Sequence, residues 1–167
     1  MSYDLMVFDP KVPPRNREAF MAWYNEFVKW SEDHDHDNPE ITPINIQNWF
    51  HEMRTHFPAM NGPFGISDDE IDNPKVSDYC ITTEGIYVSF SWSQAEEAHN
   101  MMYDLSEDHN IGFFDVSANS GFINFGDGCY IEPGSNDLTC DVEAEATLAE
   151  NKPGLLSLIR NLFSKKD

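Results

Sequence analysis

The chain has 167 residues, room for one domain with a substantial core and a tail beyond it. A hydrophobic share of 40% and an aromatic share of 13% exclude a disordered polymer. Ten Lys+Arg against thirty Asp+Glu leave a formal charge of −20, which disfavours a role gripping nucleic-acid backbones, because that affinity comes from basic side chains displacing counterions. The same charge disfavours anionic membranes and suits either steering towards a basic partner or plain solubility. The N-terminus lacks a basic region followed by an apolar run, and no apolar stretch nears the roughly 20 residues that span a bilayer, so the expected location is the cytoplasm. Cys80, Cys129 and Cys140 are odd in number and lack C-x-x-C spacing. Neither a disulfide framework nor a zinc site is expected from them, and reduced thiols are.

Residues 3–8 form a short apolar run that ends at Asp9-Pro10 and predicts a first strand. Leu5 and Val7 point to one side and Met6 and Phe8 to the other, so both faces are covered and the strand is central. Beyond Pro10, Pro13 and Pro14, the residues Phe20, Trp23, Tyr24, Phe27 and Trp30 recur at helical spacing and predict a helix from Glu18 on. This aromatic stripe reads as core rather than as a ligand box, since aromatics dominate the buried area of small domains. Residues 31–40 form a polar, acidic loop. Thr42 as cap and Pro43 at the first position predict a second helix, with Ile46, Trp49, Phe50 and Met53 as its apolar stripe and Phe57-Pro58 as its end. Residues 59–65 are turn-rich, and residues 67–74 form another acidic loop.

Local signals agree best over residues 79–116. Residues 79–82 read as a strand, Thr83-Glu84-Gly85 as a turn, and residues 86–92 as a strand whose buried face carries Ile86, Val88, Phe90 and Trp92. Ser93 and Glu96 match the capping box of a helix start, and Ala95, Ala98, Met102 and Leu105 give that helix its buried stripe. Residues 111–116 predict the next strand, which pairs with a short one over residues 122–125 as a hairpin. Leaving aside the second helix and the last strand, the order is βαββαβ. The expected fold is therefore α+β and ferredoxin-like (split βαβ): an antiparallel sheet with both long helices on one face. The helix over residues 42–57 is then an insertion. The acidic domain is expected to occupy residues 1–126, followed by an acidic linker over 127–152 and a C-terminal amphipathic helix over 153–167. That helix is expected to dock on the domain or to pair with a second copy as a homodimer.

Chemistry is sparse. The alternation Asp33-His34-Asp35-His36-Asp37 supplies carboxylates and imidazoles, and His34 and His36 are the candidate metal ligands. A rigid metal site collects ligands from separate elements, however, so a solvated acidic loop is the preferred reading. Asp115, His99, His109 and Glu96 are the acid–base candidates, with His99 three residues after Glu96 on a helix. Asp115 is a charge in an otherwise apolar strand and is expected to face outward, towards a partner. The chain carries no P-loop, dinucleotide fingerprint, nucleophile elbow or H-E-x-x-H, so no catalytic residue and no cofactor are expected.

At Phe57-Pro58-Ala59-Met60-Asn61-Gly62-Pro63, Trp92-Ser93-Gln94-Ala95-Glu96 and Gly112-Phe113-Phe114-Asp115-Val116-Ser117 the chain resembles a family of small acidic bacterial α+β proteins, similar in size and acidity to toxin-immunity proteins. The likeness covers residues 1–125. It implies a non-catalytic inhibitor that binds a cognate toxin with a basic surface, a nuclease for example. Asp33, Asp35, Asp37, Asp68, Asp69, Glu70 and Asp72 are then the expected steering and rim residues, Met60 and Phe64 the anchors, and Asp115 a further partner contact. The alternatives are a metal-dependent enzyme or binder using His34 and His36, and a housekeeping oligomer assembled through the tail.

Overall fold

The strand β1, Ser2–Phe8, is the middle of the molecule in the computed structural model, which describes residues 2–70 and 72–141. Leu5, Met6, Val7 and Phe8 are all fully buried although their side chains alternate between the two sheet faces. A strand can bury both faces only where it has a neighbour on each side and a layer above and below. On one side β1 pairs antiparallel with β3, Gly85–Ser91, placing Leu5 opposite Val88 and Val7 opposite Ile86. On the other it pairs antiparallel with β4, Gly112–Phe114, placing Met6 opposite Phe114. With β2 (Asp78–Ile81), β5 (Ile123–Asn124), β6 (Cys129–Ile131) and β7 (Thr139–Cys140), the sheet has seven strands in the order β2-β3-β1-β4-β5-β6-β7. Every pairing in it is antiparallel.

Among the described residues three α-helices cover the two faces: α1 (Arg17–Phe27), α2 (Ile44–His56) and α3 (Ala95–Asp108). The layer on the Leu5/Val7 face gathers Ile46, Trp49, Phe50 and Met53 of α2 with Ala98, Met102 and Leu105 of α3. The layer on the Met6/Phe8 face gathers Phe20 and Phe27 of α1 with Phe114, Ile123, Phe125 and Ile131. The fold is α+β with an antiparallel sheet, as its composition of elements predicts. The expected division of helices is overturned: α2 lies beside α3, and α1 lies on the opposite face. The stripe of α1 matches Met6 and Phe8, whereas Leu5 and Val7 are already covered by α2 and α3.

The helix starts differ from their local signals. The first helix is capped by Asn16, whose Oδ1 accepts from the backbone N–H of Ala19 at 2.9 Å. Thr42 does not cap α2; its hydroxyl donates to the Pro39 carbonyl at 2.8 Å and closes the short 3-10 turn Pro39–Ile41. The Ser93/Glu96 capping box is not formed either. The chain takes a 3-10 turn over Trp92–Gln94 before α3, which leaves Trp92 50% exposed instead of on the buried face of β3. There Trp92 packs on the Tyr3 ring, centroids 5.3 Å apart.

The sheet continues where a linker was expected. β6 and β7 extend it past residue 126, and Arg17 ties them to α1, its Nε donating to the Ser135 carbonyl at 2.7 Å and its Nη2 to the Glu132 carbonyl at 2.9 Å. Cys129 and Cys140, opposite each other in the β6–β7 register, form a disulfide. The expectation of three reduced thiols therefore fails for these two, because strand pairing brings together residues that no spacing motif connects. Cys80 is free and half-buried. Its thiol is pushed up to about 11 by burial and by the Asp78 charge, so it is a poor nucleophile at neutral pH. The expected C-terminal helix lies outside the described residues.

Protein purified without reductant and then denatured should titrate with one thiol per chain, rising to three after reduction. A bridge across a sequence separation of 11 residues should contribute roughly 3 kcal/mol through the constrained unfolded chain. The difference in urea unfolding between oxidised protein and the Cys129→Ser/Cys140→Ser variant measures it.

Candidate functional site

At the C-terminal end of α1 the chain leaves the helix through Trp30, which adopts a left-handed backbone with φ of 49°. Residues 31–40 then cross to the turn between β2 and β3. Their backbone is held there by the N–H of Ile81, which donates to the His36 carbonyl at 2.8 Å. Glu32 reaches the same turn and accepts from the Thr83 hydroxyl at 2.6 Å and the Thr83 N–H at 3.0 Å. The second oxygen of Glu32 also pairs with Nε2 of His34. The acidic loop is thus a tethered segment whose Asp33, Asp35 and Glu40 side chains stay exposed.

Two recesses adjoin along this loop. The first, about 230 Å³, is lined by Trp23, Phe27 and Trp30 together with Glu26, Glu32 and Glu84. The second is a wider groove of about 500 Å³ between the loop and residues 63–64, with His34, Asp35, Asp37 and Glu40 along one wall and Phe64 on the other. The walls are pressed together at Gly62, whose φ is +78° and where a Cβ would stand 2.7 Å from Cβ of Asp37. Only glycine meets both demands at low cost. Phe64 is half-buried, packing on Phe50 and His51 with centroids 5.7 and 5.2 Å away, and the Arg54 guanidinium lies 4.7 Å from its ring centre. Met60 is 42% exposed.

The expected site residues therefore divide. The structure brings His34, Asp35, Asp37 and Phe64 to one groove, and Asp33 is exposed on the same loop. Asp69, Glu70 and Asp72 are exposed on the following loop, where Asp68–Glu70 forms a 3-10 turn, and they do not line the groove. The imidazoles of His34 and His36 stand 4.7 Å apart, but three of their four nitrogens are engaged. Nδ1 of His34 bonds the Asp35 carbonyl at 3.0 Å, its Nε2 meets Glu32, and Nδ1 of His36 bonds the Ile81 carbonyl at 2.9 Å. Among the described residues, no three His, Cys, Asp or Glu side chains gather as a metal ion's ligands would. The cluster consequently reads as a loop lock.

Asp115 is overturned as an outward, partner-facing group: it is 9% exposed. One oxygen accepts from the Ala118 N–H at 3.1 Å. The other accepts from the Tyr3 hydroxyl at 3.4 Å and lies 3.6 Å from Nε2 of His99. Burial first, and the Asp115 charge second, push the Tyr3 hydroxyl up to about 12. The β4–β5 turn wraps so tightly that a Cβ on Gly121 would stand 1.8 Å from the Asp115 carbonyl oxygen. Asp115 organises this turn, and His99 turns to it rather than to Glu96. The other imidazole considered for acid–base work, His109, meets Glu52 at 2.8 Å and links the end of α3 to α2.

Sequence reasoning missed Glu32 and Glu84 as parts of a recess and assigned Trp23 and Trp30 to the core. Phe20 and Phe27 are buried, but Trp23 and Trp30 are only half-buried. The left-handed Trp30 carries no sequence signal, because that position ordinarily selects glycine. No family model, curated protein or solved structure matches this chain. Among the described residues no helix is long and apolar enough to cross a membrane.

The lock titrates from both sides. Its bond to the Asp35 carbonyl, then its bond to Glu32, hold the His34 imidazole above its ordinary 6.5. Burial raises Glu32, but the Thr83 and His34 bonds outweigh it and hold the carboxyl below its ordinary 4.5. The raised imidazole stabilises the fold below pH 6.5 and loses this as pH climbs through its folded value. The lowered carboxyl stabilises it above pH 4.5 and loses this as pH falls through its folded value. Both contributions overlap between pH 4.5 and 6.5. The NMR titration midpoint of His34 should therefore lie above 6.5 and fall back towards it in Glu32→Gln. For Asp115, Asp115→Ala should cost roughly 1–3 kcal/mol in urea unfolding, because the Ala118 N–H and Tyr3 hydroxyl lose their acceptor. Asp115→Asn, which retains one oxygen, should cost less.

Proposed function

We propose that this chain is a non-catalytic binding protein of the immunity type, which neutralises a cognate bacterial toxin by covering a basic surface on it. The observation that supports the reading best is the groove in which His34, Asp35, Asp37 and Glu40 face Phe64. A carboxylate-rich wall beside an aromatic one is what a basic, partly apolar protein surface requires, with charges steering the encounter and the apolar groups holding the docked state. The formal charge of −20 extends that steering field well beyond the contact. Met60, exposed at one end of residues 60–64, serves as a second anchor. The exposed Asp33, Asp69, Glu70 and Asp72 provide the outer field. The motif resemblance to the small acidic bacterial family supports the same assignment, and a nuclease is the simplest toxin with the required basic surface. The location we assign is the cytoplasm.

For the fold we infer that β2-β3-β1-β4 with α2 and α3 is a split βαβ unit of the ferredoxin-like kind. The strand order and the shared helix face support it. On this reading α1, rather than α2, is the inserted helix.

The association rate with the basic partner should fall on the order of tenfold or more between low and high salt, because the charges that steer it are solvent-exposed. Asp35→Asn/Asp37→Asn should slow association and flatten the salt dependence, whereas Met60→Ala should act mainly on dissociation. Stopped-flow mixing at several ionic strengths measures all three, and a rate indifferent to salt would overturn the reading.

A further inference from the structure

We propose that the recess between the end of α1 and the β2–β3 turn is a binding site for an alkylated ammonium head, of which a trimethylammonium group is the simplest form. This site is separate from the acidic groove and does not depend on the toxin reading. Trp23 and Phe27 stand at i and i+4 on α1 and share one face of it, and the chain leaving the helix brings the Trp30 ring against Phe27. Phe27, 8% exposed, is the floor. Trp23 and Trp30 flank it with ring centroids 5.5 Å away on either side. Aromatic faces attract a cation through the negative face of their quadrupole, indole most strongly. The recess measures about 230 Å³, which accommodates a trimethylammonium group and its first methylenes.

Charge selects a cation, and hydrogen bonding selects its kind. Glu26, Glu32 and Glu84 line the same recess, and the neighbouring cation Lys29 pairs with Glu26 at 2.6 Å. The local balance is negative. The carboxylate oxygens, however, are largely engaged. Glu84 accepts from the Trp23 indole N–H at 2.8 Å, Glu32 accepts from Thr83 through both oxygens, and Glu26 accepts from Lys29. A guanidinium or primary ammonium brings donors that need acceptors to replace water. An alkylated ammonium brings methyl groups and needs only the field and the ring faces. The positive φ of Trp30, 49°, adds a further sign. A bulky L residue adopts that conformation against steric preference, and it persists here where it packs the lining indole on Phe27, His36 and Tyr87.

The test is an NMR titration of the four tryptophan indole N–H signals, assigned through Trp→Phe variants, with choline as the probe. Its uncharged carbon isostere, 3,3-dimethylbutan-1-ol, and guanidinium are the comparison ligands. Choline should shift the Trp23 and Trp30 signals saturably, with Kd on the order of a millimolar, while Trp49 and Trp92 stay in place. The isostere and guanidinium should bind roughly tenfold more weakly or less. Glu84→Gln, which preserves shape, should weaken choline several-fold with the thermal midpoint retained, and Trp30→Gly, which suits the left-handed backbone, should abolish the response. No saturation by roughly 50 mM choline overturns the proposal. So does equal binding of the isostere, which would make the recess merely apolar. Tighter guanidinium binding would also overturn it by assigning the recess to arginine-like ligands.

Discussion

Everything in this structure depends on a single strand being buried on both of its faces. Leu5 and Val7 need one apolar layer and Met6 and Phe8 another, and neither pair is satisfied by a one-layered sheet. The demand is large: fully burying a side chain of this size is worth roughly 1.5–3 kcal/mol, and four of them stand in consecutive positions. The helices are distributed accordingly. The second and third meet the first pair, and the aromatic first helix meets the second. The strands that follow extend the sheet so that the layer under α1 has something to rest on.

That arrangement also explains where the charge goes. With both sheet faces occupied, most carboxylates stand on helix exteriors and connections, and the strands carry only Asp4 and Asp78 among the described residues. One of these connections, residues 31–40, is held in place by Glu32 on Thr83 and His36 on Ile81. The result is a fixed acidic surface with aromatic side chains set into it. A flexible acidic loop would steer a basic partner but would present no shape. A tethered one presents a fixed shape as well as a charge, and two recesses adjoin it.

Buried and half-buried polar groups that look chemical in the sequence have structural tasks. Asp115 closes a turn, His109 joins two helices, and His34 and His36 lock a loop. In each case a titratable side chain finds its partner across a large sequence separation or through a backbone carbonyl. A chain with this many carboxylates must satisfy those near the core with hydrogen bonds, since an unpaired one there is costly.

The sequence by itself determined the α+β class, the central position of the first strand, the three helical stripes and the most regular strand pair. Each of these rests on a periodicity of apolar residues that is local and several turns or pleats long. It also singled out the acidic loop and Phe64, because composition marks both. The tertiary structure alone decided which helix covers which face, since a stripe states that a face is buried but not against what. It alone decided that Trp92 leaves the sheet and that Thr42 and Ser93 do not cap, because a nearby backbone carbonyl and a 3-10 turn compete with those local signals. The strands of two or three residues beyond residue 126, the Cys129–Cys140 pair and the recess built from Trp23, Trp30, Glu32 and Glu84 were illegible for one reason. They exist through neighbours distant in the chain, and no local pattern records which distant residues the folded sheet will set side by side.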